Sequence, residues 1–141
     1  KKNTKITLNN GKILSIHKRD MDKDSIIMGM HPNAPCKLFE ASAGRAELAQ
    51  RLQDRGYDIS ISNYDIYEDI PLQQVKLDLN MEKEECFCKT PFEGIICREA
   101  IEHVENIPHV LRLFKNNLTD NGTLVMSFSK DLVFVLEYIT Y

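Results

Sequence analysis

Glu99, Glu102 and His103 stand at i, i+3 and i+4 in the run Cys97-Arg98-Glu99-Ala100-Ile101-Glu102-His103-Val104-Glu105-Asn106. On a helix that spacing gathers two carboxylates and an imidazole on one face. Such a trio suits general-base chemistry, with His103 as proton acceptor near neutral pH, and it would also suit a divalent metal. A solvated helix start, where acids favour the dipole, requires no chemistry at all. A second candidate is Glu40-Ala41-Ser42-Ala43-Gly44-Arg45-Ala46. A turn of small residues lets a ligand approach the backbone and meet a helix N-terminus, and Glu40 offers an acceptor to a cationic or amino-bearing group. Plain packing competes with that reading. Only Gly44 is a glycine before the helix, so the turn is not the GxGxxG fingerprint of dinucleotide folds.

These residues need elements to hold them. Residues 37–41 read as a short apolar strand, 46–53 as a helix stopped by Gly56, and 57–62 as a second, Ile-rich strand. Residues 75–78 form an expected third strand and 92–97 a fourth. A helix covers 107–114, and Asp120-Asn121-Gly122 turns into a fifth strand at 123–128. Strands alternating with helices predict an α/β fold: a Rossmann-like, doubly wound, mostly parallel sheet with helices on both faces. In such sheets ligands sit beyond the carboxyl ends of the strands. Those ends are Glu40 to Gly44, Asn63 to Asp65, Asp78 to Asn80, Arg98 to His103, and Ser127 to Lys130. Ahead of this core, residues 4–16 read as a hairpin turning at Asn10-Gly11, and 20–31 as one or two helical turns. Pro32 and Pro35 then break the chain, dividing an N-terminal arm, 1–31, from a core, 32–141.

The chain has 141 residues, 43% hydrophobic and 28% charged, which suits one domain with one core. No stretch approaches the ~20 apolar residues of a membrane span, and no secretory leader is expected. A formal net charge of −3 argues against a protein that grips nucleic acid through phosphate neutralisation. The exception is local: Lys1, Lys2, Lys5, Lys12, Lys18 and Arg19 precede the first acid, forming either a solvated arm or a phosphate-contacting one. Cys36, Cys86, Cys88 and Cys97 are too few and too unevenly spaced for a disulfide framework, so the expected compartment is reducing and cytoplasmic. Cys86-x-Cys88 lacks a second pair at ligand spacing, and His17, His31 and His109 are scattered, so no metal site is expected.

The run Phe92-Glu93-Gly94-Ile95-Ile96-Cys97-Arg98-Glu99-Ala100-Ile101-Glu102-His103-Val104 resembles the fourth-strand motif of class I S-adenosylmethionine-dependent methyltransferases. Leu77-Asp78-Leu79-Asn80 before it, and Leu118-Thr119-Asp120-Asn121-Gly122-Thr123-Leu124-Val125 after it, are similar to the same family in order and spacing. The resemblance covers about residues 36–130. It implies S-adenosylmethionine as cofactor and methyl transfer to an O, N or C nucleophile on a small molecule or glycan. It also implies a cofactor site: Glu40, Ala41, Ser42, Ala43 and Gly44 as the loop near the methionine end, Asn63 with Tyr64 beside the ribose, Asp78 and the Leu79 backbone facing adenine, and Arg98 with Glu99 near the amino group. His103 would face the acceptor as catalytic base.

Three features depart from the family pattern. Ser42 and Ala46 stand where it has glycines, and Asn63 stands where it has the ribose acid. Residues 131–141 leave room for at most one of the two strands that follow the fifth. A methyltransferase-like binding or scaffold module with weak or no catalysis is therefore the second expectation. A nucleotide-binding oxidoreductase is the third, disfavoured by the absent glycine fingerprint.

Overall fold

The computed structural model describes residues 4–7, 13–17, 35–80, 87–98 and 100–127. Its strands are β1 (Thr4–Thr7), β2 (Ile13–His17), β3 (Lys37–Ala41), β4 (Asp58–Asn63), β5 (Gln73–Lys76), β6 (Phe92–Arg98) and β7 (Leu118–Ser127). Two helices, α1 (Glu47–Asp54) and α2 (Ile107–Asn116), and a 3-10 turn (Ile101–His103) complete the described elements. The strands form one sheet in the order β1-β2-β7-β6-β3-β4-β5. Every neighbouring pair is parallel except β1 with β2. The expected α/β sheet is present.

Alternation along each strand divides the core between the two faces. Phe39, Ala41, Ile95, Cys97, Leu124 and Met126 pack with Ile107, Val110, Leu113 and Phe114 of α2. Leu38, Ile59, Ile61, Ile96 and Val125 pack with Leu48, Ala49 and Leu52 of α1. A strand covered on both faces must be apolar on both, which is why β3 and β6 read as nearly continuous apolar runs. Phe39 anchors the α2 side, stacked on Phe92 at 4.8 Å between centroids.

The sheet also dictates where a ligand can sit. The chain lays β3, β4 and β5 outward to one edge and returns to place β6 on the other side of β3. Strand order reverses there, between β3 and β6, and in open α/β sheets ligands bind beyond the carboxyl ends of the strands at such a point.

Three local expectations change. The helix expected through Glu99, Glu102 and His103 is only a 3-10 turn at Ile101–His103, after which Val104 is extended (ψ 133°). Pro108 is the reason: it lies in the first turn of α2, and a helix continuing through it would lose a hydrogen bond and clash with the preceding turn. Asn106 starts α2 afresh, its side chain accepting from the His109 N–H at 3.1 Å. The third strand runs Gln73–Lys76 rather than 75–78, because the Asp78 carboxylate accepts the Asn80 N–H at 3.0 Å and turns the chain. The fifth begins at Leu118, with Asp120-Asn121-Gly122 inside it as an irregularity: the register moves from Phe92↔Leu118 to Gly94↔Thr123. A Cβ on Gly122 would meet Leu118 Cδ2 and the Thr119 carbonyl oxygen at 3.0 Å each, so the close approach requires glycine.

The hairpin is present and belongs to this same sheet, with Thr7 opposite Ile13. Its Asn10-Gly11 turn lies outside the described residues, as do the expected helical turns at 20–31, Cys86 and the segment after Ser127. Among the described residues no helix is long and apolar enough to cross a membrane.

Candidate functional site

The loop from β3 to α1 has a backbone that its side chains resist. Ser42 (φ 50°), Gly44 (φ 59°) and Ala46 (φ 59°) all lie in the left-handed region. For Ser and Ala that conformation costs about 1–2 kcal/mol each. The neighbouring strand holds it in place. The Ser42 N–H donates to Ser62 Oγ at 3.1 Å, and the Ala43 N–H donates to the Ser62 carbonyl at 2.9 Å. The Gly44 N–H donates to Asn63 Oδ1 at 2.7 Å. Three successive amides are thus committed to the end of β4. A pyrophosphate cradle needs such amides aimed at its ligand. The loop's outer side is nevertheless open, since a Cβ on Gly44 would meet no heavy atom within 4 Å.

Glu40, the fourth residue of β3, points to the α1 side of the sheet and is 1% exposed. Its Oε2 accepts from Arg98 Nε at 3.0 Å, bridging β3 and β6 across the reversal point. Its Oε1 is buried with no hydrogen-bond partner among the described residues. Burial pushes the Glu40 carboxyl above its ordinary range, against the opposing pull of the Arg98 charge and hydrogen bond, the Ala49 amide and Arg51. An unpaired carboxylate oxygen in a dry site favours a cation or amine donor over any anion.

The remaining expected site residues distribute unevenly along the same edge. Asn63 ends β4 with both ends of its amide on Gly44: besides accepting from its N–H, it donates from Nδ2 to its carbonyl at 2.9 Å. Tyr64 follows it, 56% exposed. Asp78 spends one oxygen on Asn80, and the Leu79 side chain is buried in the core. Asn80 in turn accepts the Glu105 N–H at 2.9 Å, tying the loop after β5 to the segment after β6. His103 is exposed, its backbone N–H on the Ala100 carbonyl at 3.1 Å. Glu99 lies outside the described residues. The structure therefore brings Glu40, Ser42, Ala43, Gly44, Asn63 and Arg98 into one connected cluster and leaves Tyr64 and His103 exposed, with no side-chain contact to it among those described.

One participant was not singled out from the sequence: Ser62 holds two of the loop amides, and a polar residue at the end of a strand was the available signal. Asn80, among the strand-end residues expected to matter, ties two loops. Arg45, also exposed, is paired with Asp69 at 2.5 Å and lies 5.1 Å from the centre of the Tyr67 ring. Cys36 contributes no nucleophile: burial, with Glu93 beside it, pushes its thiol up to about 12.

The Glu40 carboxylate suits a cation or amine donor, and the loop amides, spent on the end of β4, are not available to a pyrophosphate.

The comparisons with known proteins agree with that chemistry. A family model described as a methyltransferase domain matches residues 16–133. No curated protein matches the chain. Among solved structures, a TehB-like SAM-dependent methyltransferase from Corynebacterium glutamicum superposes with a TM-score of 0.71 at 19% identity, covering 82% of this chain and 68% of its own. The 1,6-didemethyltoxoflavin-N1-methyltransferase of Burkholderia thailandensis, bound to 1,6-didemethyltoxoflavin and S-adenosylhomocysteine, gives 0.58 at 15% identity, covering 72% of this chain and 49% of that one. A plantazolicin methyltransferase in complex with a triazolic desmethylPZN analog and SAH gives 0.60 at 11% identity, covering 84% and 49%. With a family match over most of its length, the chain belongs to the methyltransferase domain family, and its sheet has the fold of the methyltransferase structures it superposes on.

Proposed function

We propose that the chain transfers the methyl group of S-adenosylmethionine to an O, N or C nucleophile on a small molecule or peptide. The observation that carries this reading is Glu40: a buried carboxylate with one oxygen unpaired among the described residues, at the reversal point, beside a loop whose amides are already spent. In this reading Glu40 and the loop backbone hold the methionine end, and Asp78 with the Leu79 backbone holds adenine. Bound there, the cofactor supplies an electrophilic methyl group on a sulfonium centre. The protein's part is to align the acceptor in line with it and exclude water. The exposed His103 accepts a proton on its imidazole when the acceptor must lose one. The ligands bound to two of these neighbours, 1,6-didemethyltoxoflavin and a triazolic desmethylPZN analog, support small-molecule and peptide acceptors. The glycan expected from the sequence gains no support from them. Buried Cys36 and Cys97 form no disulfide among the described residues, which suits the reducing cytoplasm.

A second reading, a binding module without turnover, draws on one observation: Asn63 occupies the ribose-acid position yet spends its amide on Gly44. Calorimetric titration with S-adenosylhomocysteine and NAD tests the cofactor, and a screen for S-adenosylhomocysteine release tests turnover. Binding of the first ligand without NAD binding is expected. NAD binding in its place, or no binding of either, overturns the cofactor assignment. With an acceptor in hand, His103→Gln should lower kcat by roughly 10²–10⁴-fold at unchanged cofactor affinity. An unchanged kcat removes His103 from the chemistry.

A further inference from the structure

Asn63 holds the polar atoms of Gly44 from both sides. Its Oδ1 takes the Gly44 N–H at 2.7 Å and its Nδ2 gives to the Gly44 carbonyl at 2.9 Å. Its own carbonyl accepts the Leu77 N–H at 3.0 Å, which fixes its backbone to the segment leaving β5. The loop it grips departs from ordinary geometry on both sides of Gly44, at Ser42 and Ala46. A loop of three glycines could adopt those angles without steric cost; this one needs an external hold. Ser62 supplies part of it through Ser42 and Ala43, and Asn63 supplies the rest.

We infer that Asn63 is a positioning residue that fixes the shape of the 42–46 loop, and that it does not bind the cofactor's ribose. The side-chain chemistry sets the requirement. Gly44 presents one donor and one acceptor, and an amide matches both. A carboxylate matches only the donor and sets its second oxygen against the Gly44 carbonyl. The residue type that serves a ribose best is thus the type this loop tolerates least.

The inference rests on the proposed cofactor, and two ligands separate the two claims. S-Adenosylhomocysteine and its 2′,3′-dideoxyribose analogue are titrated into wild type, Asn63→Ala and Asn63→Asp. Failure of wild type to bind S-adenosylhomocysteine sinks the cofactor reading itself. If it binds, the positioning role predicts about tenfold weaker binding in Asn63→Ala and weaker binding again in Asn63→Asp. It also predicts the same ratio of dideoxy to parent Kd in all three proteins, because no contact between residue 63 and the ribose is lost. A purely structural residue would leave the affinity of the folded fraction unchanged, and that result would overturn the inference. So would a ratio that collapses towards one in Asn63→Ala, or tighter binding in Asn63→Asp. The near-isosteric Asn63→Asp keeps the measurement available should Asn63→Ala not fold. Loss of folding in both variants would assign Asn63 to the fold alone and overturn the inference too.

Discussion

Two asparagines at opposite ends of the sheet do the same chemistry for different ends. Asn117, at the amino end of β6, is fully buried and satisfied throughout. Its Nδ2 donates to the Leu113 carbonyl at 2.9 Å, its Oδ1 accepts the Phe87 N–H at 2.9 Å, and its carbonyl accepts the Phe92 N–H at 2.8 Å. Nearby, Lys37 Nζ reaches Thr90 and lies 4.9 Å from the centre of the Phe92 ring. Asn63, at the carboxyl end of β4, is equally well paired, but its surroundings are not. Beside it lie two non-glycine residues at positive φ, a carboxylate oxygen without a partner, and exposed Tyr64, Ile66 and Tyr67. One end of the sheet is closed by its hydrogen bonds. The other is held open by them, which is how a binding edge differs from a structural one in the same fold.

Substitutions at the two ends should therefore fail differently. The largest effect belongs to the closed end. Asn117→Ala strips the Phe87 N–H and the Leu113 carbonyl of their partner, and should cost about 3 kcal/mol of unfolding free energy. Denaturant titration reads that loss, while affinity for S-adenosylhomocysteine in the folded protein stays constant. A matching loss of affinity would erase the distinction between the ends.

Glu40→Gln should show the reverse pattern. Gln keeps an acceptor for Arg98 but forfeits the charge, weakening S-adenosylhomocysteine binding by about 2 kcal/mol. Stability responds to pH with a definite sign. Because the fold raises the Glu40 pKa, its contribution is fully present below the ordinary carboxylate value of 4.5 and is lost as pH rises through the raised one. The always-neutral variant escapes that loss, so its stability relative to wild type should climb as pH rises above about 4.5. A flat difference between pH 4 and pH 8 would mean the carboxylate is not strained by burial.

Smaller still, Ser42→Gly should raise unfolding free energy by about 1 kcal/mol through relief of its left-handed backbone. Ala46→Gly should gain less, since the Ala46 methyl is buried. Destabilisation in both would show that the loop does not hold glycine geometry. Arg45→Ala, which removes an exposed pair with Asp69, should leave the unfolding midpoint unmoved.

Much of this was legible from local pattern. The β3 and β6 runs, α1 with its Leu48 and Leu52 face, and the α2 segment all declare themselves through period and composition. The helix across Glu99 to His103 was misread because acid spacing was weighed and Pro108 was not, although Asn106 and Pro108 together mark a new helix start. At the site, Glu40 and the small-residue loop were visible as types. Their state was not: the ion pair to Arg98 spans 58 residues and the Asn63 grip on Gly44 spans 19. Such contacts depend on which strands become neighbours, and periodicity carries no information about that.

The parallel pairing of β2 with β7 sets Ile13 against Thr123, so the hairpin must wait for the last described strand. During synthesis the hairpin emerges more than a hundred residues before its partner strand, with no sheet to join. A two-stranded ribbon alone is at best marginally stable in water. Joining it to the sheet closes a long loop, and contacts of that sequence separation are characteristic of slow folding. The β3-β4-β5 layer can assemble from nearby segments well before this. The outer seam at β2 and β7 is thus expected to form late, leaving the β2 edge exposed to a chaperone or to another nascent chain until residue 127 has left the ribosome.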